Sequence, residues 1–202
     1  MKEMECFKRE CTAFFAACDL TASKPLVFGE GPVNHPVLML IGEAPGEQEA
    51  LQGRPFVGKA GKNLDAFLEA VQLKREEIYI SNVVKIRPSK ISAAGRVVNR
   101  PPSKEEKALF TPWLMREIAI VQPQAIVTLG NVALQTFCDD VIGNRHGCWS
   151  DVSVCCEGRE MLSVPLFALY HPASVIYNGS LKDVYVRDLQ KLSETLAVRT
   201  NG

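Results

Sequence analysis

The chain has 202 residues, 47% of them hydrophobic, which is enough for one α/β domain with a sizeable core and too little for two. Its 23 basic and 23 acidic residues give a net charge of zero, so any contact with nucleic acid needs a local basic patch. Seven cysteines, two of them adjacent, do not fit a disulfide framework, and no stretch resembles a signal peptide or a membrane span. We therefore expect a single domain over 1–202 that is monomeric, cytoplasmic and free of membrane contact.

Short apolar runs that alternate with helical patterns predict an α/β fold. The predicted strands are 37–41, 78–84, 125–129, 152–156 and 165–169. The predicted helices are 60–71, a helix opened by the capping box at Ser103 to Glu106 and stopped at Pro123, a short one at 132–138, and 181–197. This alternation predicts a three-layer α/β/α sandwich with a central, mainly parallel sheet. Ligands bind such sheets where the chain leaves the carboxyl ends of the strands, which here are the loops after Ile41, Asn82, Leu129 and Leu169.

The first of these loops, 42–49, places two carboxylates, Glu43 and Glu49, in a glycine-rich turn, and a second glycine-rich segment follows at 53–61. Glycines allow tight turns and a close approach of the backbone to a ligand, and carboxylates can act as acids or bases. The spacing matches neither the Walker loop nor the dinucleotide-binding Gly-x-Gly-x-x-Gly pattern. A nucleotide hydrolase or a dehydrogenase is therefore not favoured.

Two further polar residues lie at predicted strand ends. Asn82 stands in an apolar strand, where its amide must be hydrogen-bonded. That amide can both donate and accept, as reading one edge of a pyrimidine requires, or it can simply tie down a loop. His171 directly follows a predicted strand, a position that favours a functional role over plain packing.

The segment from Lys85 to Lys104 is basic and contains no acidic residue. Its basic residues are Lys85, Arg87, Lys90, Arg96, Arg100 and Lys104. It can be the local patch that a DNA-binding protein of zero net charge needs, or a solvated surface without a partner.

Six sequence blocks occur in the order seen in the family-four uracil-DNA glycosylases, across roughly 12–195. They are Val27-Phe-Gly-Glu-Gly31, Gly42-Glu-Ala-Pro-Gly46, Gly53-Arg-Pro-Phe-Val-Gly58, Asn82-Val-Val-Lys85 with Arg87-Pro88, Val127-Thr-Leu-Gly130 and Tyr170-His-Pro-Ala173. The chain therefore resembles this thermostable bacterial and archaeal type. The resemblance implies a monofunctional base-excision repair enzyme that flips uracil out of DNA and hydrolyses its N-glycosidic bond, leaving an abasic site.

The resemblance also implies roles for individual residues. Glu43 and Glu49 become candidates for activating the attacking water, Phe56 would stack on the flipped base, Asn82 would read the uracil edge, and His171 would donate to uracil O2. Cleavage gives the sugar cationic character and the base negative charge, which carboxylates and a histidine can stabilise. The pocket would also contain Gly42, Ala44 and Gly46. The implied DNA contacts are Lys85, Arg87, Lys90, Arg96, Asn99, Arg100, Ser174, Val175 and Ile176.

The sequence departs from the family at the iron–sulfur cluster that four cysteines usually hold. Only Cys18 stands at a ligand position, and the other three positions are Phe15, Ile86 and Phe110. Apolar side chains cannot supply thiolates, so we predict no metal and no cofactor. We expect the three apolar side chains to pack together instead. Cys6 and Cys11 are close in sequence but out of register.

A second departure is the longer segment 89–98 before Asn99, which contains Lys90 and Arg96. It is either an added DNA-contacting loop or a disordered insertion.

Two alternative functions also stay open: a non-catalytic binder of uracil-containing or damaged DNA, and a glycosylase that prefers deaminated purines. Glu43, Glu49, Asn82 and His171 are all present, which favours catalysis over binding alone.

Overall fold

A computed structural model of the chain describes residues 2–21, 23–156, 158 and 161–200, with the backbone alone at 176–177 and 198–200. The elements in chain order are α1 (Lys2–Ala16), β1 (Leu38–Gly42), α2 (Glu47–Gln52), α3 (Lys59–Ala70), β2 (Ile78–Asn82), β3 (Ser89–Ile91), β4 (Val97–Asn99), α4 (Lys104–Val121), β5 (Ile126–Leu129), α5 (Asn131–Leu134), α6 (Ile142–Arg145), β6 (Trp149–Val154), β7 (Leu162–Leu169), α7 (Pro172–Tyr177) and α8 (Lys182–Thr200). Short 3-10 turns at Arg75–Glu77 and Gly179–Leu181 precede β2 and α8.

The central sheet has five strands in the order β2-β1-β5-β7-β6. Four of them run parallel, with Leu38 opposite Ile78 and Met39 opposite Ile126. The edge strand β6 runs antiparallel to β7. The predicted mainly parallel sheet is confirmed, and the carboxyl ends of β1, β2, β5 and β7 lie at one edge.

Helices cover both faces of the sheet and complete the three layers. Successive residues of a strand point to opposite faces. Accordingly, Leu38 and Leu40 pack in one core with α3 and α8, whereas Met39 and Ile41 pack in the other with α1 and α4. No helix in the described ranges is both long and apolar enough to cross a bilayer.

The predicted ends of helices and strands agree best with the structure where a capping residue or a proline determines them. In α4, Ser103 Oγ accepts from the Glu106 amide at 3.1 Å, and the Glu106 carboxylate accepts from the Ser103 amide at 2.8 Å. That helix ends at Val121, two residues before Pro123. The last two strands begin three residues earlier than predicted, because their antiparallel ladder extends the pairing beyond the apolar runs.

The amino-terminal helix α1 was not predicted. Its buried residues are Met4, Phe7, Cys11 and Phe15, spaced three or four apart as one stripe of a helix requires. Charged residues between them mask this stripe in the sequence. The stripe packs against α4 in the core below the sheet.

The inserted segment folds as a β-hairpin, so the alternative of a disordered insertion is wrong. Ser89 pairs with Asn99, Lys90 with Val98 and Ile91 with Val97. A turn closes it, with the Ser92 amide donating to the Arg96 carbonyl at 2.8 Å. At its base, the Arg100 side chain donates to the Ser89 carbonyl at 3.2 Å.

Candidate active site

Two adjoining cavities open at the carboxyl edge of the sheet. The first, the Phe56 cavity, has a volume of about 520 Å³ and includes Phe56, Asn82 and His171 in its lining. The second, the Glu43 cavity, has a volume of about 420 Å³ and includes Glu43 and His171. Both cavities are also lined by Ala44, Gly46 and Asn99. The strand-end loops singled out in the sequence therefore converge on one region.

Phe56 and Asn82, which both line the Phe56 cavity, approach each other beside Gly42. A Cβ atom placed on Gly42 would lie 2.6 Å from Phe56 Cζ and 2.5 Å from Asn82 Oδ1, so no side chain fits there. Asn82 is only 3% exposed and lines the Phe56 cavity, and its side-chain amide has no hydrogen bond to another described residue. An amide this enclosed is costly unless it finds a partner, so it is available to a ligand.

The backbone at Phe56 has a positive φ of 54°, which is uncommon for a residue with a side chain. The Arg75 guanidinium holds this conformation by donating to the Phe56 carbonyl at 3.2 Å and to the Pro55 carbonyl at 2.7 Å. Such strain persists only where the surroundings over-determine it. The arrangement fixes the aromatic ring at the cavity wall.

The Glu49 carboxylate holds the same segment from its other side. Its Oε1 accepts from the amides of Val57 at 3.0 Å and Gly58 at 2.7 Å, and its Oε2 accepts from the Gly46 amide at 3.1 Å. The side chain is buried although it borders the Phe56 cavity. Three backbone donors therefore occupy this carboxylate, and they tie the loop 42–49 to the segment that carries Phe56.

Glu43 has different surroundings. Its side chain is half-buried at the Glu43 cavity and makes no hydrogen bond within the described part of the chain. Burial raises the pKa of the Glu43 carboxyl, an effect that the charge of Lys107 partly opposes. A carboxylate without protein donors at a cavity wall can accept from water or face a developing cation.

His171 lies just before α7, where it serves as the helix cap. Its Nδ1 accepts a hydrogen bond from the Ala173 amide at 3.2 Å, so the neutral ring carries its proton on Nε2. Burial lowers the pKa of His171, which favours the neutral ring. The ring can therefore donate from Nε2 into the cavities that it borders.

The predicted DNA contact of Lys85 is wrong, because its side chain is fully buried. Its Nζ donates to Glu117 Oε2 and Ser81 Oγ, each at 2.6 Å, and to the Asn82 carbonyl at 2.7 Å. Glu117 also accepts from Tyr79 Oη at 2.9 Å. This buried ion pair anchors the backbone of Asn82 rather than facing solvent.

Two other basic residues of the predicted patch are already paired. Arg87 donates to Asn99 Oδ1 at 2.7 Å and to Glu47 at 3.1 Å. Arg100 forms a two-pronged ion pair with the buried Glu106, both contacts at 2.7 Å. Lys90 and Arg96 are exposed on the hairpin and form no ion pair among the described residues.

The predicted DNA contacts around α7 differ in their surroundings. Ser174 is exposed and borders the Glu43 cavity. Val175 is half-buried and packs against the core that contains α3 and α8. The side chain of Ile176 lies outside the described residues, so its predicted DNA contact stays a prediction.

The residues at the family's cluster position form an apolar core, as predicted. Phe15, Ile86 and Phe110 are buried together, and the rings of Phe15 and Phe110 stack with centroids 4.2 Å apart and planes 13° apart. Burial raises the pKa of the nearby Cys11 thiol to about 12, which disfavours the thiolate that iron requires. In the described ranges, no three His, Cys, Asp or Glu side chains are arranged to hold a metal. The residues present do not fit an iron–sulfur cluster.

Several residues that support the site were missed in the sequence. Arg75 gave no signal, because its partners are backbone carbonyls about twenty residues earlier. Glu117 did give one, since it lies on the buried stripe of α4 beside Leu114 and Ile118. Tyr170 borders the Glu43 cavity, and its ring packs on His146 with centroids 4.8 Å apart.

Comparisons with known proteins identify the family of the chain. The family model described as the Uracil DNA glycosylase superfamily matches residues 28–192. The type-4 uracil-DNA glycosylase of Archaeoglobus fulgidus is 37% identical over 163 residues, covering 78% of this chain and 75% of that protein. The protein of the same name from Thermotoga maritima is 40% identical over 186 residues, covering 91% of this chain and 88% of its own. The chain therefore belongs to the uracil DNA glycosylase superfamily and, within it, to the type-4 uracil-DNA glycosylases.

Proposed function

We propose that this chain excises uracil from DNA by taking an everted nucleotide into the Phe56 cavity and hydrolysing its N-glycosidic bond. The observation that carries the proposal is that Phe56, Asn82 and His171, from distant parts of the chain, line one cavity beside Glu43. The relatives named type-4 uracil-DNA glycosylases support the same activity. The chain is thus a DNA-repair hydrolase acting on N-glycosyl bonds, with DNA as its partner.

Base recognition follows from the side chains around Gly42. The flipped base would stack on the Phe56 ring, which Arg75 and Glu49 hold in place. The Asn82 amide would accept from uracil N3–H and donate to O4. Cytosine presents an acceptor and a donor in the reverse order, so the same amide orientation would not pair with it. With cytosine in the cavity, the Asn82 amide would be buried without its hydrogen bonds. That cost would make the selection for uracil strong.

Bond cleavage needs stabilisation of opposite charges on the two fragments. The Nε2–H of neutral His171 would donate to uracil O2 as the leaving base becomes anionic. The Glu43 carboxylate would face the cationic sugar and orient the attacking water. We assign the water to Glu43 rather than Glu49, because three backbone amides already occupy the Glu49 carboxylate.

The remaining expectations are also proposals. We infer that the enzyme works without an iron–sulfur cluster, because apolar side chains fill the position where thiolates would be needed. A monomer in the cytoplasm suits a reduced chain with free cysteines. Size-exclusion chromatography with light scattering checks the monomer.

The direct test incubates the protein with duplexes that contain a single uracil, hypoxanthine or xanthine, followed by alkaline cleavage of abasic sites. We expect strand breaks at uracil. His171→Ala and Asn82→Ala should each lower the rate by about 10²-fold or more, since each removes a group that faces the base. Thermal unfolding of both variants controls for misfolding.

The other outcomes identify the alternatives. Breaks at hypoxanthine or xanthine but not at uracil would indicate a glycosylase for deaminated purines. Tight binding of uracil-containing DNA without breaks would indicate a non-catalytic binder. Either result would contradict the proposed activity.

A further inference from the structure

The hairpin formed by β3 and β4 has one face whose orientation the strand pairing fixes. Ser89 lies opposite Asn99 and Ile91 opposite Val97, while Lys90 and Val98 form the pair between them. Side chains alternate across a strand, and directly opposite residues share a face. Asn99, Ile91 and Val97 therefore lie on one side of the ribbon, and Lys90 lies on the other.

That side of the ribbon is turned toward the active site at its base. Asn99 borders both the Phe56 cavity and the Glu43 cavity. Its side chain is held there by Arg87, whose Nε donates to Asn99 Oδ1 at 2.7 Å. Strand residues rise about 3.4 Å each, so Ile91 and Val97 lie about 7 Å beyond Asn99, which is about two base steps of DNA. The apolar pair therefore lies on the same side of the ribbon as Asn99, farther from the cavities.

The pair is apolar and exposed, and the same short ribbon carries two basic residues. Ile91 is 75% exposed and Val97 is 55% exposed. Lys90 and Arg96 flank them without an ion pair among the described residues, and no acidic residue occurs from Lys85 to Lys104. An apolar face on a ribbon that also carries cations without ion pairs fits unstacked bases linked by phosphates better than it fits a protein partner.

We propose that Ile91 and Val97 form a platform for the base next to the everted nucleotide, which keeps that base unstacked while uracil occupies the Phe56 cavity. This inference rests on the proposed function, since it places the hairpin on the DNA strand that enters the same cavity. Eversion costs stacking energy, and contact between a displaced base and an apolar surface offsets part of that cost.

The test uses duplexes that carry a non-hydrolysable 2′-fluoro-deoxyuridine with 2-aminopurine one or two positions to either side. Fluorescence of 2-aminopurine rises when the base leaves the stack. We expect saturating wild-type protein to raise it at one or more of these positions. The double variant Ile91→Ser/Val97→Ser should lose most of the rise and bind the duplex about fivefold more weakly or worse, because one base contact is removed. Ile91→Phe keeps an apolar platform and should retain the rise.

Met161→Ser is the matched control, because Met161 is an exposed apolar residue just before β7, at the opposite end of the sheet from the cavities. It should leave both the fluorescence and the affinity unchanged. The inference is overturned if the wild type gives no rise at any position, or if the double variant matches the wild type. Neither readout needs uracil release, so a failure of the excision assay would reject the enzymatic activity separately.

Discussion

At the scale of single residues, Glu43 and Glu49 differ in what surrounds their carboxylates. Glu43 borders its cavity with no hydrogen bond among the described residues, whereas Glu49 accepts three backbone amides. Hydrogen bonds to a charged acceptor contribute about 1.5–3 kcal/mol each, so Glu49 is an organising group of the loop. The two carboxylates should therefore affect different kinetic constants.

The variants Glu43→Gln and Glu49→Gln test this difference. Glu43→Gln should lower kcat by about 10²–10⁴-fold with little change in KM. It removes the carboxylate proposed to orient the water and leaves the uracil-binding pocket intact. Glu49→Gln should mainly raise KM, because an amide cannot accept all three hydrogen bonds and Phe56 loses its support. Steady-state kinetics on one uracil duplex gives both constants. If Glu49→Gln caused the larger loss of kcat at unchanged KM, the assignment of the water to Glu43 would be wrong.

The pH dependence follows from two opposite pKa shifts. Burial raises the pKa of Glu43 above its usual 4.5 and lowers the pKa of His171 below its usual 6.5. The proposed mechanism needs Glu43 ionised and His171 neutral, and falling pH removes both forms. The logarithm of kcat should therefore fall with a slope approaching two on the acid side, and with a slope of about one in Glu43→Gln. Equal acid slopes in the two proteins would show that Glu43 does not titrate in catalysis.

At the scale of elements, the basic segment from Lys85 to Lys104 contains some side chains that form ion pairs and others that do not. Lys85, Arg87 and Arg100 are bound to Glu117, Glu47 and Glu106. Among the described residues, the cations of this segment left without an ion pair are Lys90 and Arg96 on the hairpin and Lys104 at the start of α4. The patch that the sequence predicted is therefore narrower than its six basic residues suggest.

The salt dependence of DNA affinity tests which of these basic residues contact phosphates. Each phosphate contact contributes about 0.9 to the slope of log K against log salt concentration, so Lys90→Ala and Arg96→Ala should each flatten the slope by about one. Lys191→Ala removes an exposed charge from α8, a helix that contributes no residue to the lining of either cavity, and should leave the slope unchanged. The slope comes from DNA affinities measured at several salt concentrations. An unchanged slope in both hairpin variants would remove the hairpin cations from the DNA interface.

At the scale of the whole molecule, a stack of aromatic rings joins α1 to α4 at the positions where the family resemblance implied cluster ligands. Phe15 from α1 and Phe110 from α4 meet face to face, and Trp113 packs beside Phe15 with centroids 5.6 Å apart. Buried aromatic side chains contribute through their large apolar area and through ring geometry. We propose that this packing links the two helices in place of metal ligation.

The variant Phe110→Ala tests whether packing supplies that link. It should lower the free energy of unfolding by about 3–5 kcal/mol, because it leaves a cavity between the helices. Phe14→Ala is the control, since Phe14 is 46% exposed and its loss should cost less. Denaturant unfolding measures both, and iron analysis of anaerobically purified wild type completes the test. Stoichiometric iron with a brown chromophore would refute the proposal that no cluster is bound.

Local and periodic features were determined by the sequence by itself. Apolar runs located the parallel strands, because such strands are buried on both faces, and the capping box fixed the start of α4. The strand ends then identified the loops with Glu43, Asn82 and His171, since parallel strands bring their carboxyl ends to one edge. The loss of three cysteine positions was also readable, because thiolates have no apolar substitute.

Only the tertiary structure decided which polar groups are free. Lys85 and Glu117 are 32 residues apart, and Glu49 meets amides eight and nine residues further along the chain. Neither pairing has a local signal, so the sequence could not separate a buried anchor from a DNA contact or a catalytic carboxylate from a structural one. Long-range hydrogen bonds set those roles, because burial makes every charge depend on the partner that the fold brings to it.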